Sequence, residues 1–401
     1  MLVIYMIKAW QLKLNKIIFQ IKDVTYMDIN QVLLQRIKMP LKSSFETSFG
    51  KVTEKDIIVV RVFSEDKVGI AESVAMPFPI YNEETTGTVW YMLEHFLIPQ
   101  LLEKGVKHPR DVFDMFSYIR RNNMAKAALE MAVWDLYSKQ NGLSLSAVLG
   151  GTRKEIEVGV SIGIEDNIDD LLIKVNHFLN EGYKKIKVKI KPGWDIEPLR
   201  AIRNKFGDDI PLMADANSAY TLNDKALLKE LDTFNLMMVE QPLAHDDIID
   251  HAKLQAEMKT PICLDESIHS VEDARKALEI EACKIINIKI GRVGGLTEAK
   301  KIHDLCEERD VPVWCGGMLE AGIGRAHNIA IASLSNFTIP GDTSSSSRYF
   351  NEDIIFPEVT LSKPGMISVP ERPGIGFDIN NELINKMIVN DKTFTKATMI
   401  S

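Results

Sequence analysis

"KIKVKIKPGWD", residues 185–195, alternates lysine with isoleucine and valine and stops at Pro192-Gly193. In a strand successive side chains point to opposite faces, so Lys185, Lys187 and Lys189 share one face and Ile186, Val188 and Ile190 the other. Taken alone, this is an amphipathic strand with its lysines in water. Its surroundings are periodic, however. Apolar runs ending in polar or glycine residues recur as "IEVGVSI", "KIKVKI", "IPLMAD", "LMMVEQP", "PICLDES", "KIINIKI", "VPVWCGG" and "FTIPGD". Their C-terminal ends fall near residues 161, 189, 215, 240, 265, 289, 315 and 341, 24 to 28 residues apart, and each run is followed by a helix-like stretch. A strand of about five residues, a helix of about twelve and two short loops fill such a unit. Eight units closing on themselves predict an α/β protein with a (β/α)8 TIM-type barrel. An open doubly wound sheet is the alternative, but no G-x-G-x-x-G follows the first strand.

The barrel reverses the first reading of the lysines. Its parallel strands have no solvated face, because helices cover the outside. Lys187 and Lys189 therefore face the interior, while Lys185, at the strand start, reads as surface.

The flanking regions are organised differently. Over residues 27–150, "DINQVLLQRIKMPL", "KDIIVVRVFSED" and "VGIAESVAM" alternate like antiparallel strands. The helical segments "TTGTVWYMLEHFLIPQLLEK" and "MAKAALEMAVWDLYSKQNG" follow, the second ending on a C-cap glycine, Gly142. This region reads as an α+β capping domain, residues 151–350 as the barrel, and residues 351–401 as a strand-like segment returning to the cap. Residues 1–26 are apolar in patches, but Lys8, Lys13 and Lys16 break every run well short of a membrane span, and no secretory cleavage pattern is present. They read as an appendage from a start assigned too far upstream, with the protein proper opening at Met27. Intact mass of the native protein tests this.

Composition narrows the class. The chain has 401 residues, 45% hydrophobic and 26% charged, with a net charge of −8, which argues against nucleic acid or an anionic membrane as the main partner. The four cysteines (Cys263, Cys283, Cys306, Cys315) form no C-x-x-C pair, so neither a disulfide scaffold nor a zinc ribbon is expected, and a reducing, cytoplasmic setting is.

The active site of such a barrel lies at the C-terminal ends of the strands. Five consecutive ends carry charge: Lys187 and Lys189; Asp215, with Asn217; Glu240; Asp265, followed by Glu266 and Ser267; and Lys289. Three carboxylates on adjacent strands repel one another, and a hard divalent cation relieves that repulsion. Oxygen ligands without His or Cys select Mg²⁺, with Mn²⁺ as the variant. Lys189 and Lys289 stand on strands two and six, on opposite walls. A carboxylate held between them is set for loss of its α proton, with the charge of the enediolate stabilised electrostatically. A lysine base needs its pKa lowered from about 10.4 towards 7–8. Burial and the neighbouring Lys187 both push that way.

These motifs resemble the enolase superfamily, muconate-lactonizing subgroup. "IKVKIKPGWDIEPL", "DANSAYTL", "VEQPLAHDDIIDHAKLQ", "LDESIHS", "INIKIGRVGGLTEA" and "CGGMLEAGIGRAHNIAIASL", with "RIKMPLKSSFETSFG" and "ALEMAVWDL" upstream, are similar to the o-succinylbenzoate synthase / N-acylamino acid racemase family. The resemblance covers about residues 27–380, and family members begin near Met27. It implies dehydration of a cyclohexadiene carboxylate to 2-succinylbenzoate in menaquinone biosynthesis. Lys189 would be the base, Lys289 the electrostatic partner, and Asp215, Glu240 and Asp265 the Mg²⁺ ligands. Racemising members carry an arginine soon after the strand-six lysine, here Arg292, so N-succinylamino acid racemase activity is the alternative. The resemblance further implies a small-molecule carboxylate substrate and a homo-oligomer. By the same route Phe45, Met76, Tyr81, Ser161, Gly317, Met318, Ile323 and Tyr349 are expected to line the pocket, with Asn217 and Arg292, while Glu266 and Ser267 support the carboxylates from behind. At Gly317 the Gly-Gly pair is expected to let ligand approach the backbone.

His245 and His327 are expected at surface or supporting positions, and Cys263 and Cys315 as small residues pointing into the barrel. Dipeptide epimerases carry Asp-x-Asp at strand eight, where this chain reads "GDTSSS". A His–Asp dyad of the mandelate racemase kind is absent from strands seven and six. A non-catalytic barrel should have lost a ligand or a lysine, and none is missing.

Overall fold

A computed structural model describes residues 27–48 and 50–399; the appendage reading of residues 1–26 lies outside the described residues. Strands β1 (Gln31–Thr47), β2 (Gly50–Ser64) and β3 (Lys67–Ser73) form an antiparallel meander. The far edge of β1 is taken by the last strand of the chain, Ile388–Thr395, so the C-terminus completes the N-terminal sheet. Pairing of β1 with β2 breaks between Pro40 and Phe45, as it must where proline offers no N–H, and Phe45 re-enters the ladder opposite Val52.

The helix Asn123–Gln140 covers this sheet. It is buried on almost every side, the polar residues Glu130, Asp135 and Ser138 included. Gly69 on β3 lets it approach, because a Cβ there would lie 2.0 Å from the Ala132 carbonyl oxygen. Buried Asp135 on the helix accepts from Ile70 N at 2.8 Å, Ile375 N at 2.7 Å and Lys139 Nζ at 2.6 Å, joining three parts of the chain.

Beyond the short strand β4 (Glu155–Glu157) comes the parallel sheet: β5 (Val160–Ile162), β6 (Ile186–Lys189), β7 (Leu212–Asp215), β8 (Val239–Glu240), β9 (Ile262–Leu264), β10 (Ile285–Ile288) and β11 (Val313–Cys315). Each pairs with the next in chain order. The eighth apolar run forms no strand, because Pro340 interrupts its ladder. It still closes the ring. Asp342 N donates to Cys315 O of β11 at 2.9 Å, and Gly159 N beside β5 donates to Gly341 O at 2.6 Å. The run is followed by a short 3₁₀ turn, Ser346–Arg348, where the periodicity called for a helix. The first run is also split: β4 leaves the barrel to pair with Met366–Ser368, which belongs to the C-terminal segment.

The interior is apolar only at its floor, where Met213, Met238, Cys263, Ile285 and Trp314 cluster. Cys263 points inward as expected. Cys315 does not: it pairs with Ile288, on the face opposite Trp314, and packs with the layer between strands and helices. His327 is fully buried and joins the cap helix to a barrel helix, its ring nitrogens facing Met131 O and Ile323 O. His245 is exposed.

Candidate active site

Register sets the level of the charged groups. Lys189 pairs with Asp215 and Asp215 with Glu240, so three strand ends present their side chains side by side. All three side chains are buried, as are Asp265, Lys187 and Lys289. Lys189 Nζ lies 2.5 Å from Asp215 Oδ2 and 2.7 Å from Asn217 Oδ1. Asn217 takes a left-handed backbone, φ 43°, which asparagine tolerates, and its amide turns to Glu266 Oε1 at 2.9 Å. Across the barrel, Lys289 Nζ lies 2.7 Å from Asp265 Oδ2 and 3.2 Å from Tyr81 Oη. With β6 and β10 four places apart in the sheet order, the two ammonium groups occupy opposing walls.

Lys185 corrects the sequence reading. It is 0% exposed, with Nζ 3.3 Å from the centre of the Trp314 ring and 3.2 Å from Asp342 Oδ1. The inner face of β6 continues below the strand, so a lysine in phase with Lys187 and Lys189 enters the barrel as they do. Asp342, on the eighth segment, was not anticipated. Its Oδ2 lies 2.5 Å from Lys187 Nζ, which also reaches Glu240 at 3.2 Å and Asp215 at 3.3 Å.

These contacts shift the titrations. Burial lowers the Lys189 ammonium, and Lys187 adds to that, against the pull of Asp215. Burial opposes the charge on Lys187 too, but Asp342, Glu240 and Asp215 outweigh it and hold its pKa well above the usual value. Lys289 is likewise raised against burial, by Tyr81, Glu266 and Glu240. The two opposed lysines are thus electrostatically unequal.

Phe45, Met76, Tyr81 and Ser161 line the cavity above these groups, as do Asn217, Gly317, Met318 and Tyr349. Ile323 and Arg292 do not. Ile323 is sealed inside the helix Gly322–Ala332, every residue of which is buried. Arg292 lies behind Asp265, paired with its carboxylate, and donates to Ile268 O at 2.7 Å and Asn287 O at 2.6 Å. Ser267 also stands behind, accepting from Gln241 Nε2 at 2.7 Å. Gln241 holds a positive φ of 39° at the end of β8, and its Oε1 accepts from Asp265 N at 3.0 Å. Gly317 faces the cavity, and its neighbour Gly316 is packed against a side chain. A Cβ on Gly316 would lie 2.3 Å from Asn287 Oδ1, whereas one on Gly317 meets only ordinary contacts. The cavity wall also includes Lys55, Leu319, Glu320 and Arg325, none of which the sequence reading singled out. Leu319 sits at φ 59°, a left-handed conformation costly for leucine.

The residues fit a hard divalent cation by donor chemistry: Asp215, Glu240 and Asp265 offer only oxygen, from adjacent strands. Glu266 Oε2, buried beside them, has no hydrogen-bond partner among the described residues. As the side chains stand, Asp265 is turned to Lys289 and Arg292. Among the described residues, the one group of potential ligand atoms all within 4.8 Å of one another is His303, Asp304 and Glu307, away from the cavity.

A capped barrel with opposed lysines above a row of strand-end carboxylates defines an enzyme built to handle a carboxylate substrate. The chain matches the families described as "Mandelate racemase / muconate lactonizing enzyme, N-terminal domain" over residues 30–150 and "Enolase C-terminal domain-like" over residues 170–383. It is 58% identical over 372 residues to the o-succinylbenzoate synthase of Geobacillus kaustophilus, covering 92% of this chain and 99% of that one. It is 47% identical over 361 residues to the N-succinylamino acid racemase of Thermus thermophilus, covering 90% and 97%. A solved enolase-superfamily member from Listeria innocua superposes with a TM-score of 0.89 at 42% identity, over 92% of this chain and all of that one. The chain belongs to the o-succinylbenzoate synthase / N-succinylamino acid racemase family of the enolase superfamily. Among the described residues no helix is long and apolar enough to cross a membrane.

Proposed function

We propose that the chain is an o-succinylbenzoate synthase, converting 2-succinyl-6-hydroxy-2,4-cyclohexadiene-1-carboxylate to 2-succinylbenzoate and water for menaquinone biosynthesis. The observation that carries this reading is the placing of Lys189 and Lys289 on opposite walls of one cavity, above Asp215, Glu240 and Asp265. Neutral Lys189 Nζ takes the proton from C1, next to the ring carboxylate, and the electron pair spreads onto the carboxylate oxygens as an enediolate. Lys289 stays an ammonium and stabilises that charge. The C6 hydroxyl then leaves, the Lys189 ammonium returns its proton to make water, and the ring becomes aromatic. Asp215, Glu240 and Asp265 would hold Mg²⁺, which supplies further positive charge to the enediolate oxygens. Asn217 fixes the Lys189 rotamer, and the cap residues Phe45, Met76 and Tyr81 close over the substrate and exclude water.

Racemisation of N-succinylamino acids is the second reading, favoured by the same opposed lysines. One would remove the α proton and the other return it on the opposite face. Comparing kcat/KM for the cyclohexadiene carboxylate with kcat/KM for N-succinylamino acids tests both. Turnover of the first is expected, and turnover of neither by the folded, Mg²⁺-supplied chain would reject both. Exchange of the α hydrogen in D₂O isolates the racemase activity.

A further inference from the structure

The cavity wall holds two further cations, which the chemistry at Lys189 and Lys289 does not use. Lys55, on β2 of the cap, is 4% exposed and lines the same cavity. Its Nζ donates to Val74 O at 3.3 Å and Met318 O at 3.2 Å, and no carboxylate among the described residues lies within 4.0 Å of it. Arg325, 3% exposed, donates to Ser344 O at 2.6 Å and Glu320 O at 2.7 Å, and its Nε is left without a partner among the described residues. Two buried cations thus bracket the loop from Met318 to Glu320.

Glu320, on the same cavity wall, favours the Lys55 charge from a distance, but no carboxylate among the described residues is in contact with Lys55. Glu320 directs Oε2 to Met318 N at 2.8 Å. Asp56 is paired with Arg36 through two hydrogen bonds. Burial pushes the Glu72 carboxyl up to about 8, so it is mostly neutral at pH 7. Burial lowers Lys55 to about 8, against Glu320 and Glu72, which leaves it mostly charged at that pH. A buried cation with no anion in contact is costly, and a ligand carboxylate is what would compensate it.

We propose that Lys55, assisted by Arg325, forms the subsite for the second carboxylate of the substrate, the one at the free end of the succinyl chain. The assignment rests on the synthase and racemase reading, since both substrate classes share that chain. With one carboxylate between Lys189 and Lys289, the succinyl arm runs toward the cap, and its charge meets a cap residue.

The test compares binding of 2-succinylbenzoate and 2-butanoylbenzoate, in which a methyl replaces the distal carboxylate, by calorimetry with the full chain and Mg²⁺. The wild type is expected to prefer the succinyl ligand by about 10- to 100-fold, the range of one buried charge-assisted contact. Lys55→Gln keeps a donor for the two carbonyls and loses the charge. It should shrink the preference to within about threefold while 2-butanoylbenzoate still binds as before, and Lys55→Arg should restore much of it. Equal loss for both ligands in Lys55→Gln would make Lys55 a tether of the cap and overturn the proposal. So would a wild type without preference, a measurement that needs no variant to fold. A wild type that dehydrates its substrate yet shows no preference sinks the subsite alone. One that turns over neither substrate sinks the functional reading and the subsite with it.

Discussion

Asp342→Asn isolates the least expected contact in the barrel. Asp342 is the carboxylate partner of Lys185, at 3.2 Å, and Lys185 is completely buried on the Trp314 ring. Lys187 loses less, because Glu240 and Asp215 remain at 3.2 and 3.3 Å. Burial pushes the Asp342 carboxyl up, but Lys185 and Lys187 outweigh it and hold it at about 2, against an ordinary 3.8. A depressed carboxyl of this kind contributes about 2.5 kcal/mol above pH 4, lost as pH falls through 2. Leaving a buried ammonium uncompensated costs about 3–5 kcal/mol. The asparagine variant should therefore be destabilised by about 2.5–5 kcal/mol at pH 7. Lys185→Met in that background should recover most of it, since the double variant leaves no lone charge. Urea denaturation of the four proteins of the cycle measures this. A single-variant loss under about 0.5 kcal/mol, the noise of an ordinary surface substitution, or additive effects in the double variant, would refute the pairing.

Three further outcomes are expected. Lys189→Ala should lower kcat for dehydration by at least about 10²- to 10⁴-fold, the range of a lost acid–base group, with an unchanged circular dichroism spectrum; near-normal kcat removes Lys189 as base. EDTA should abolish turnover and Mg²⁺ restore it, and Asp265→Asn should raise the Mg²⁺ concentration needed for half-maximal rate; an unchanged metal dependence contradicts the ligand assignment. Glu130 of the cap helix accepts from Leu296 N at 2.8 Å and Thr297 N at 2.9 Å at the start of the barrel helix Leu296–Glu308, and burial raises its carboxyl to about 7. Its folded pKa lies above the unfolded value, so its contribution is full below about pH 4.5 and is lost as pH rises through 7. Melting temperatures of Glu130→Gln should accordingly fall less between pH 5 and 8 than those of the wild type.

Much of the site could be read from the sequence because its members end strands. Lys189, Asp215, Glu240, Asp265 and Lys289 each close an apolar run, and a barrel brings such ends to one level. The period of a strand does not fix its phase, however. "VWC" at 313–315 alternates whichever residue faces in, and only the pairing of Asn287 with Trp314 and of Ile288 with Cys315 settles that tryptophan forms the floor. A different limit misplaced Lys185, whose phase already matched that of Lys187 and Lys189. A lysine at a strand start looks solvated until its partner is known, and that partner arrives from a proline-broken segment that forms no strand.

Lys55 and Arg325 were hidden by the opposite circumstance, since each sits in a pattern that reads correctly. Lys55 opens the buried half of an antiparallel strand, where alternation lends a lysine to the solvent side. Arg325 lies in "GIGRAHNIAIA", a helix with no exposed face on which to place it. Lys55 is buried by a contact between domains, where β2 of the cap reaches the Met318 carbonyl in the loop after β11, and Arg325 is held within the barrel by the carbonyls of Glu320 and Ser344. The strand ends supply the opposed lysines and the row of carboxylates. The cap and that loop, with Arg325 and the eighth segment, supply much of the remaining cavity wall, which is where substrates sharing one carboxylate head would be told apart by their tails.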